Sequence, residues 1–176
     1  MHLDPAAVLA LAPFDVAFIR HGNTAPNPVD TARTLTDLGR QQSQAAARSY
    51  MKSLPCMRMA PLAVCSPAVR CQETAELVLS GQLNPPAPEC VGCPCIYDAL
   101  LQPGAKGIFK KLSYAPLKDY FAEGAEVVGI LDEYATGVLN EMGRLVGARP
   151  ESSAGGGRTT LCVFGHAVYS AAVAHM

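Results

Sequence analysis

Two apolar runs in this chain end alike, and this constrains its fold more than any other feature. Residues 14–19 lead into Arg20-His21-Gly22, and residues 159–164 lead into Gly165-His166. Short apolar runs bounded by turn residues read as buried strands. A third run, residues 62–65, passes into Ser66-Pro67, with Ser66 as N-cap and Pro67 at the first helical position of a helix reaching about Ser80. Thr36 caps a helix over residues 37–52. Val127, Leu131, Tyr134, Val138, Met142 and Leu145 step by three or four through 126–146, a continuous stripe for packing on a sheet. Strands alternating with helices predict an α/β layered sheet, parallel in the main.

In such sheets ligands bind where strands end. If the three strands are parallel neighbours, their ends bring Arg20, His21, Arg70 and His166 around one small volume. Gly22 lets the backbone turn sharply there, and Gly39, costly in the first turn of a helix, reads either as a close backbone approach or as a tolerated glycine. Arg70 falls in the first turn of its helix, near unpaired N–H groups that attract anions. Two guanidiniums with two imidazoles suit a phosphoryl group: the guanidiniums grip its oxygens, and a neutral imidazole nitrogen can accept it. Each feature alone is ordinary, since a histidine after a strand commonly serves structure and an arginine on a helix commonly faces water.

Composition narrows the partners. The chain has 176 residues, 49% of them apolar, and a net charge of −1. That suits one domain with a real core and argues against nucleic acid as the main partner. No apolar stretch reaches the ~20 residues that span a bilayer. The apolar segment 6–12 carries Asp4 and Pro5 before it and no basic leader, so it does not read as a signal peptide. Seven cysteines, an odd number, fit reduced thiols and a cytoplasmic, reducing compartment. Cys90, Cys93 and Cys95 lack a second ligand pair and are interrupted by Pro94, so free thiols are expected there and no metal.

Four segments, taken in order, resemble the histidine phosphatase superfamily, the phosphoglycerate mutase-like proteins. They are Arg20-His21-Gly22-x-Thr24-x-x-Asn27, Leu35-Thr36-x-x-Gly39-x-x-Gln42, Ser66-Pro67-x-x-Arg70-x-x-x-Thr74-Ala75, and Gly165-His166. The resemblance covers most of residues 14–170, nearest to short phosphohistidine-phosphatase-type or broad-specificity members. It implies a three-layer α/β/α sandwich with a mainly parallel central sheet, a single domain over 1–176, and a phosphatase without cofactor or metal. His21 would be the nucleophile that forms a phosphohistidine. Arg20, Asn27 and Arg70 would hold phosphate oxygens, with Thr24 nearby, and His166 would stabilise the transferring group. The substrate would be a small phosphorylated metabolite or a phosphoprotein. The alternatives are a non-catalytic phosphate-pocket module serving in binding or assembly, and a mutase-type phosphotransferase.

The chain departs from that family in two places. Many members carry an acidic proton donor between the segment holding the Arg70-type arginine and the one holding the His166-type histidine. Here the stretch 96–103 offers only Asp98, and it looks more like the corresponding stretch of short phosphohistidine phosphatases, whose phosphoramidate leaving group is easier to expel. Residues 98–124, with Lys106, Lys110, Lys111 and Lys118 among aromatics, read as a lid or insertion, and Cys95-Ile96-Tyr97 as an extended segment. Family members also continue further past the second histidine, where this chain ends at Met176. The remaining cover is expected from further chain, a partner or a second copy in a homodimer.

Overall fold

The computed structural model describes residues 2–12, 14–53, 58–59, 62–80, 88–97, 104–113, 115–148, 159–166 and 171–173. They fall into two compact units, one of residues 13–92 and 151–165, the other of residues 1–12, 93–150 and 166–176.

The first unit holds the sheet. Its strands are β1 (Phe14–Arg20), β2 (Arg58–Met59), β3 (Leu62–Cys65), β4 (Glu89–Gly92) and β5 (Thr159–Gly165). The order is β1-β5-β3-β4, with the two-residue β2 also alongside β5. Every pairing is parallel, as expected. Parallel neighbours cannot be joined by a tight turn, and the crossovers here include α2 (Asp37–Ser53) and α3 (Val69–Ser80). Strand β5 lies between β1 and β3, and Leu161, Cys162, Val163 and Phe164 are buried along it. A strand covered on both faces reads as an unbroken apolar run, which is why it was visible in sequence. Arg20 pairs in register with Gly165, and Cys65 with Phe164, so β1, β5 and β3 end side by side.

The predicted Thr36 cap forms, whereas α3 starts at Val69, two residues after Pro67, and Ser66 caps the turn that leads into it. The Gly39 N–H donates to Thr36 Oγ1 (3.1 Å), and the Ala68 N–H donates to Ser66 Oγ (3.4 Å). At Gly39 the close approach is the reading that holds, backbone on backbone. A Cβ there would lie 2.1 Å from the Asn23 carbonyl oxygen, and one on Gly22 would lie 2.4 Å from the Gly39 carbonyl oxygen. Two glycines thus let the loop after β1 lie against the first turn of α2.

The second unit is helical. It contains α1 (Pro5–Leu11), α4 (Ala105–Leu112), α5 (Leu117–Phe121) and α6 (Ala125–Gly147). Asp4 caps α1, its Oδ1 accepting from the Ala6 N–H (3.0 Å). Asn140 on α6 holds the chain just before α1, accepting from the Asp4 N–H (2.8 Å) and donating to the His2 carbonyl (3.0 Å). A Cβ on Gly143 would lie 2.4 Å from Ala7 Cα, so α1 and α6 touch at backbone distance. The predicted stripe on α6 is buried at Val127, Leu131, Tyr134, Val138 and Met142, while Leu145 is half-buried.

Cys95-Ile96-Tyr97 differs from expectation. The strand comes earlier, as β4, and Pro94–Ile96 is a 3-10 turn. Proline at its first position supplies a fixed helical φ, and Tyr134 Oη donates to the Ile96 carbonyl (3.0 Å) to hold it. Within 98–124, the described residues form α4 and α5, joined where Tyr120 Oη donates to the Ser113 carbonyl (2.7 Å). Lys111 pairs with Glu123, and Lys110 and Lys118 are exposed. Residues 171–173, within the helix expected after His166, are helical. Among the described residues no helix is long and apolar enough to cross a membrane.

Candidate active site

His21 stands one residue beyond β1, and its N–H donates to the Gly165 carbonyl (3.2 Å), so the sheet ladder fixes its backbone. Both ring nitrogens have partners. Nδ1 lies 2.8 Å from the Gly22 carbonyl, and Arg70 Nε lies 3.3 Å from Nε2. Gly22 O can only accept and Arg70 Nε–H can only donate. The ring is therefore the neutral tautomer with its proton on Nδ1 and its lone pair on Nε2. Burial lowers the His21 pKa below its ordinary 6.5; the Gly22 carbonyl opposes this, and the charges of Arg70, Arg20 and Arg33 add to it. A neutral imidazole whose Nε2 carries a lone pair, here accepting from Arg70 Nε–H, is the protonation state a nucleophile requires.

Arg70 projects from the first turn of α3 and is 4% exposed. It is not the solvated surface arginine that its helix position alone would also allow. Besides reaching His21, its Nη2 pairs with Asp30 Oδ2 (2.8 Å), and its Nη1 donates to the Asp30 carbonyl. One helical turn on, Thr74 Oγ1 donates to the Arg70 carbonyl (2.7 Å) and accepts from the Gly22 N–H (3.4 Å). A single buried hydroxyl thus ties the turn after β1 to the start of α3. Burial pushes the neighbouring Cys71 thiol up to about 11, so it stays protonated near neutral pH.

The loop after Gly22 is held from α3 and α2. The Leu35 N–H donates to Glu73 Oε2 (2.6 Å), and the other Glu73 oxygen pairs with Arg40 (2.9 Å). Arg33 Nε donates to the Ala25 carbonyl (3.2 Å), its Nη2 donates to Thr24 Oγ1, and its Nη1 pairs with Asp30 Oδ1 (3.2 Å).

The expected residues fare differently. His21 and Arg70 are in direct contact. Arg20 ends β1 exposed, and its charge acts on His21. Thr24 is engaged by Arg33, and Asn27 Oδ1 accepts from the Val29 N–H (2.9 Å), shaping the loop. His166 lies in the other unit, 8% exposed, with the Tyr97 ring edge-on at 5.6 Å between centroids. Asp98 lies outside the described residues. Asp30, Arg33, Glu73 and Thr74 were not assigned roles from sequence. The last two had a signal, since they follow Arg70 at the spacing that shares a helix face.

Residues 16–89 match the model of the histidine phosphatase superfamily, branch 1. The match takes in less than half of the chain, and over this stretch the chain is similar to the histidine phosphatase superfamily. Among curated protein sequences nothing matches the chain significantly. Similar solved structures include SixA from Nakamurella multipartitia, at 20% identity over 90% of this chain, with a TM-score of 0.45. The chain spans 62% of that protein's length. A protein histidine phosphatase SixA complexed with tungstate shares 18% identity over 90% of this chain and 74% of its own, with a TM-score of 0.46. A mycobacterial glucosyl-3-phosphoglycerate phosphatase complexed with VO3 shares 20% identity over 89% of this chain and 78% of its own, with a TM-score of 0.50. The last likeness is one of fold, and it agrees with the parallel α/β sheet described above. The superfamily match begins within β1 and ends at the first residue of β4, so it takes in His21, Arg70 and the loop between β1 and α2.

Proposed function

We propose that the protein is a metal-independent phosphatase that hydrolyses a phosphomonoester or phosphohistidine through a phosphohistidine on His21. The observation that carries this reading is the contact between Arg70 Nε and His21 Nε2, with the Gly22 carbonyl on Nδ1. It sets the Nε2 lone pair against the guanidinium that would grip a phosphoryl group, and the Arg70 N–H leaves that lone pair as the group binds.

In the first step Nε2 attacks phosphorus in line, the N–P bond forms, and the bond to the leaving alcohol or amine breaks. Nδ1–H stays on the Gly22 carbonyl and stabilises the imidazolium character that develops. The guanidinium of Arg70, with Arg20, balances charge on the transferring oxygens. The leaving group takes a proton, for which Asp98 is the candidate donor, unless a phosphoramidate departs without one. Water then attacks phosphorus, the N–P bond breaks, and Nε2 recovers its lone pair. Asn27 and Thr24 are assigned to the phosphate side and His166 to the transferring group, by resemblance to the superfamily.

Steady-state hydrolysis of an aryl phosphate and of a phosphohistidine peptide tests this reading, with orthovanadate as inhibitor. Turnover by wild type, inhibition by vanadate and loss of turnover in His21→Ala would support it. Unchanged turnover in His21→Ala would refute it. Vanadate binding without turnover of either substrate would instead indicate a phosphate-binding module.

A further inference from the structure

The Asp30 carboxylate is divided between two guanidiniums. Oδ2 accepts from Arg70 Nη2 at 2.8 Å, and Oδ1 accepts from Arg33 Nη1 at 3.2 Å. The same Arg70 reaches His21 Nε2 through Nε. A two-oxygen anion therefore sits between two cations, one of which touches the nitrogen expected to accept phosphorus. Carboxylate and phosphoryl oxygens are taken by guanidinium forks in the same way, so Asp30 occupies a position that a phosphoryl group fits.

The three side chains differ in how firmly they are held. That of Arg70 is 5% exposed and that of Arg33 is 27% exposed, whereas that of Asp30 is 49% exposed. Arg33 also keeps two anchors independent of Asp30, the Ala25 carbonyl and Thr24 Oγ1. If the carboxylate left, both guanidiniums would stay. The charge of Arg33 already acts on His21.

Building on the reading of His21 and Arg70 as a phosphoryl-transfer site, we propose that Arg33 is a further phosphoryl-binding residue that works with Arg70. The Asp30 carboxylate holds their shared oxyanion position until a phosphoryl group displaces it. The two roles have opposite signs: Arg33 attracts the substrate, and Asp30 competes with it. A further guanidinium also favours a doubly charged phosphoryl group over a singly charged diester.

Orthovanadate affinity separates these effects, read by calorimetry in wild type, Asp30→Asn, Arg33→Gln and the double variant. Asp30→Asn should tighten vanadate binding about tenfold, and Arg33→Gln should weaken it about tenfold, effects of the size expected for one charged hydrogen-bond partner. Arg33→Gln should still weaken binding in the Asp30→Asn background, where the Asp30–Arg33 pair no longer exists. Arg33→Lys, which keeps the charge and loses the fork, should fall between wild type and Arg33→Gln. An Arg33→Gln effect that vanishes in the Asp30→Asn background would overturn the proposal. Weaker vanadate binding in a folded Asp30→Asn protein would overturn it too, because Asp30 would then be positioning Arg70. If wild type binds vanadate and forms phosphohistidine while the Arg33 variants match it, this inference alone fails. If wild type neither binds vanadate nor forms phosphohistidine, the reading of the site fails and takes the inference with it.

Discussion

Arg70 Nε donates to His21 Nε2 across 3.3 Å, and the Gly22 carbonyl accepts from Nδ1 across 2.8 Å. These two contacts decide which imidazole nitrogen holds the lone pair. They also make the proton on Nδ1 part of the backbone scaffold, so that ring rotation would break both contacts at once.

The pH profile follows from that arrangement. Burial and the Arg70, Arg20 and Arg33 charges lower the His21 pKa from 6.5, against the Gly22 carbonyl. Protonation of Nε2 removes the nucleophile, so kcat/KM falls as pH drops through the lowered value. The acidic limb should therefore centre below 6.5. Arg33→Gln removes one cation and should move that limb upward. A limb that stays in place in this variant would contradict the electrostatic account of His21.

Arg70→Lys tests the fork. Lysine keeps a positive charge but cannot reach His21, the Asp30 carbonyl and Asp30 Oδ2 together. We expect kcat to fall about a hundredfold, as for loss of one preorganised transition-state donor. Thermal melting should also shift downward. Arg70 is 4% exposed, so the change leaves buried polar contacts incomplete at a cost of about 1–3 kcal/mol. Sequence alone suggests an arginine whose removal spares stability, and its burial argues the opposite.

Glycine substitutions within helices give predictions of opposite sign. An exposed glycine in a helix costs about 1 kcal/mol against alanine. Gly129 in α6 has nothing within 4 Å of a built Cβ, so Gly129→Ala should raise the urea midpoint. Gly143 in the same helix would place its Cβ 2.4 Å from Ala7 Cα, and Gly39 in α2 would place its Cβ 2.1 Å from the Asn23 oxygen. Gly143→Ala and Gly39→Ala should each lower stability by about 1–3 kcal/mol. Gly39→Ala should also impair catalysis, because the displaced Asn23 carbonyl lies two residues from His21.

What sequence reveals here is mostly local chemistry. The strands ending at Arg20, Cys65 and Gly165, the Thr36 cap, and the tight approach at Gly39 are each written within a few neighbouring residues. The Asp30–Arg70 pair is not, since 40 positions separate its members and α2 lies between them. Asp30 sits in a loop rich in proline and asparagine, where an aspartate has many ordinary uses. Its role appears only when Arg33 and Arg70 are seen on the two sides of one carboxylate. Thr74 has the same history, because its hydroxyl matters only once Gly22 is brought against α3.

The most direct test of the central claim is acid- and base-quenched trapping of the phosphoryl group on wild type and His21→Ala, using a labelled aryl phosphate. The account predicts label on wild type that is lost in acid, survives in base and maps to His21, with none on His21→Ala. Label on another residue, or turnover by wild type with equal labelling of His21→Ala, would contradict it.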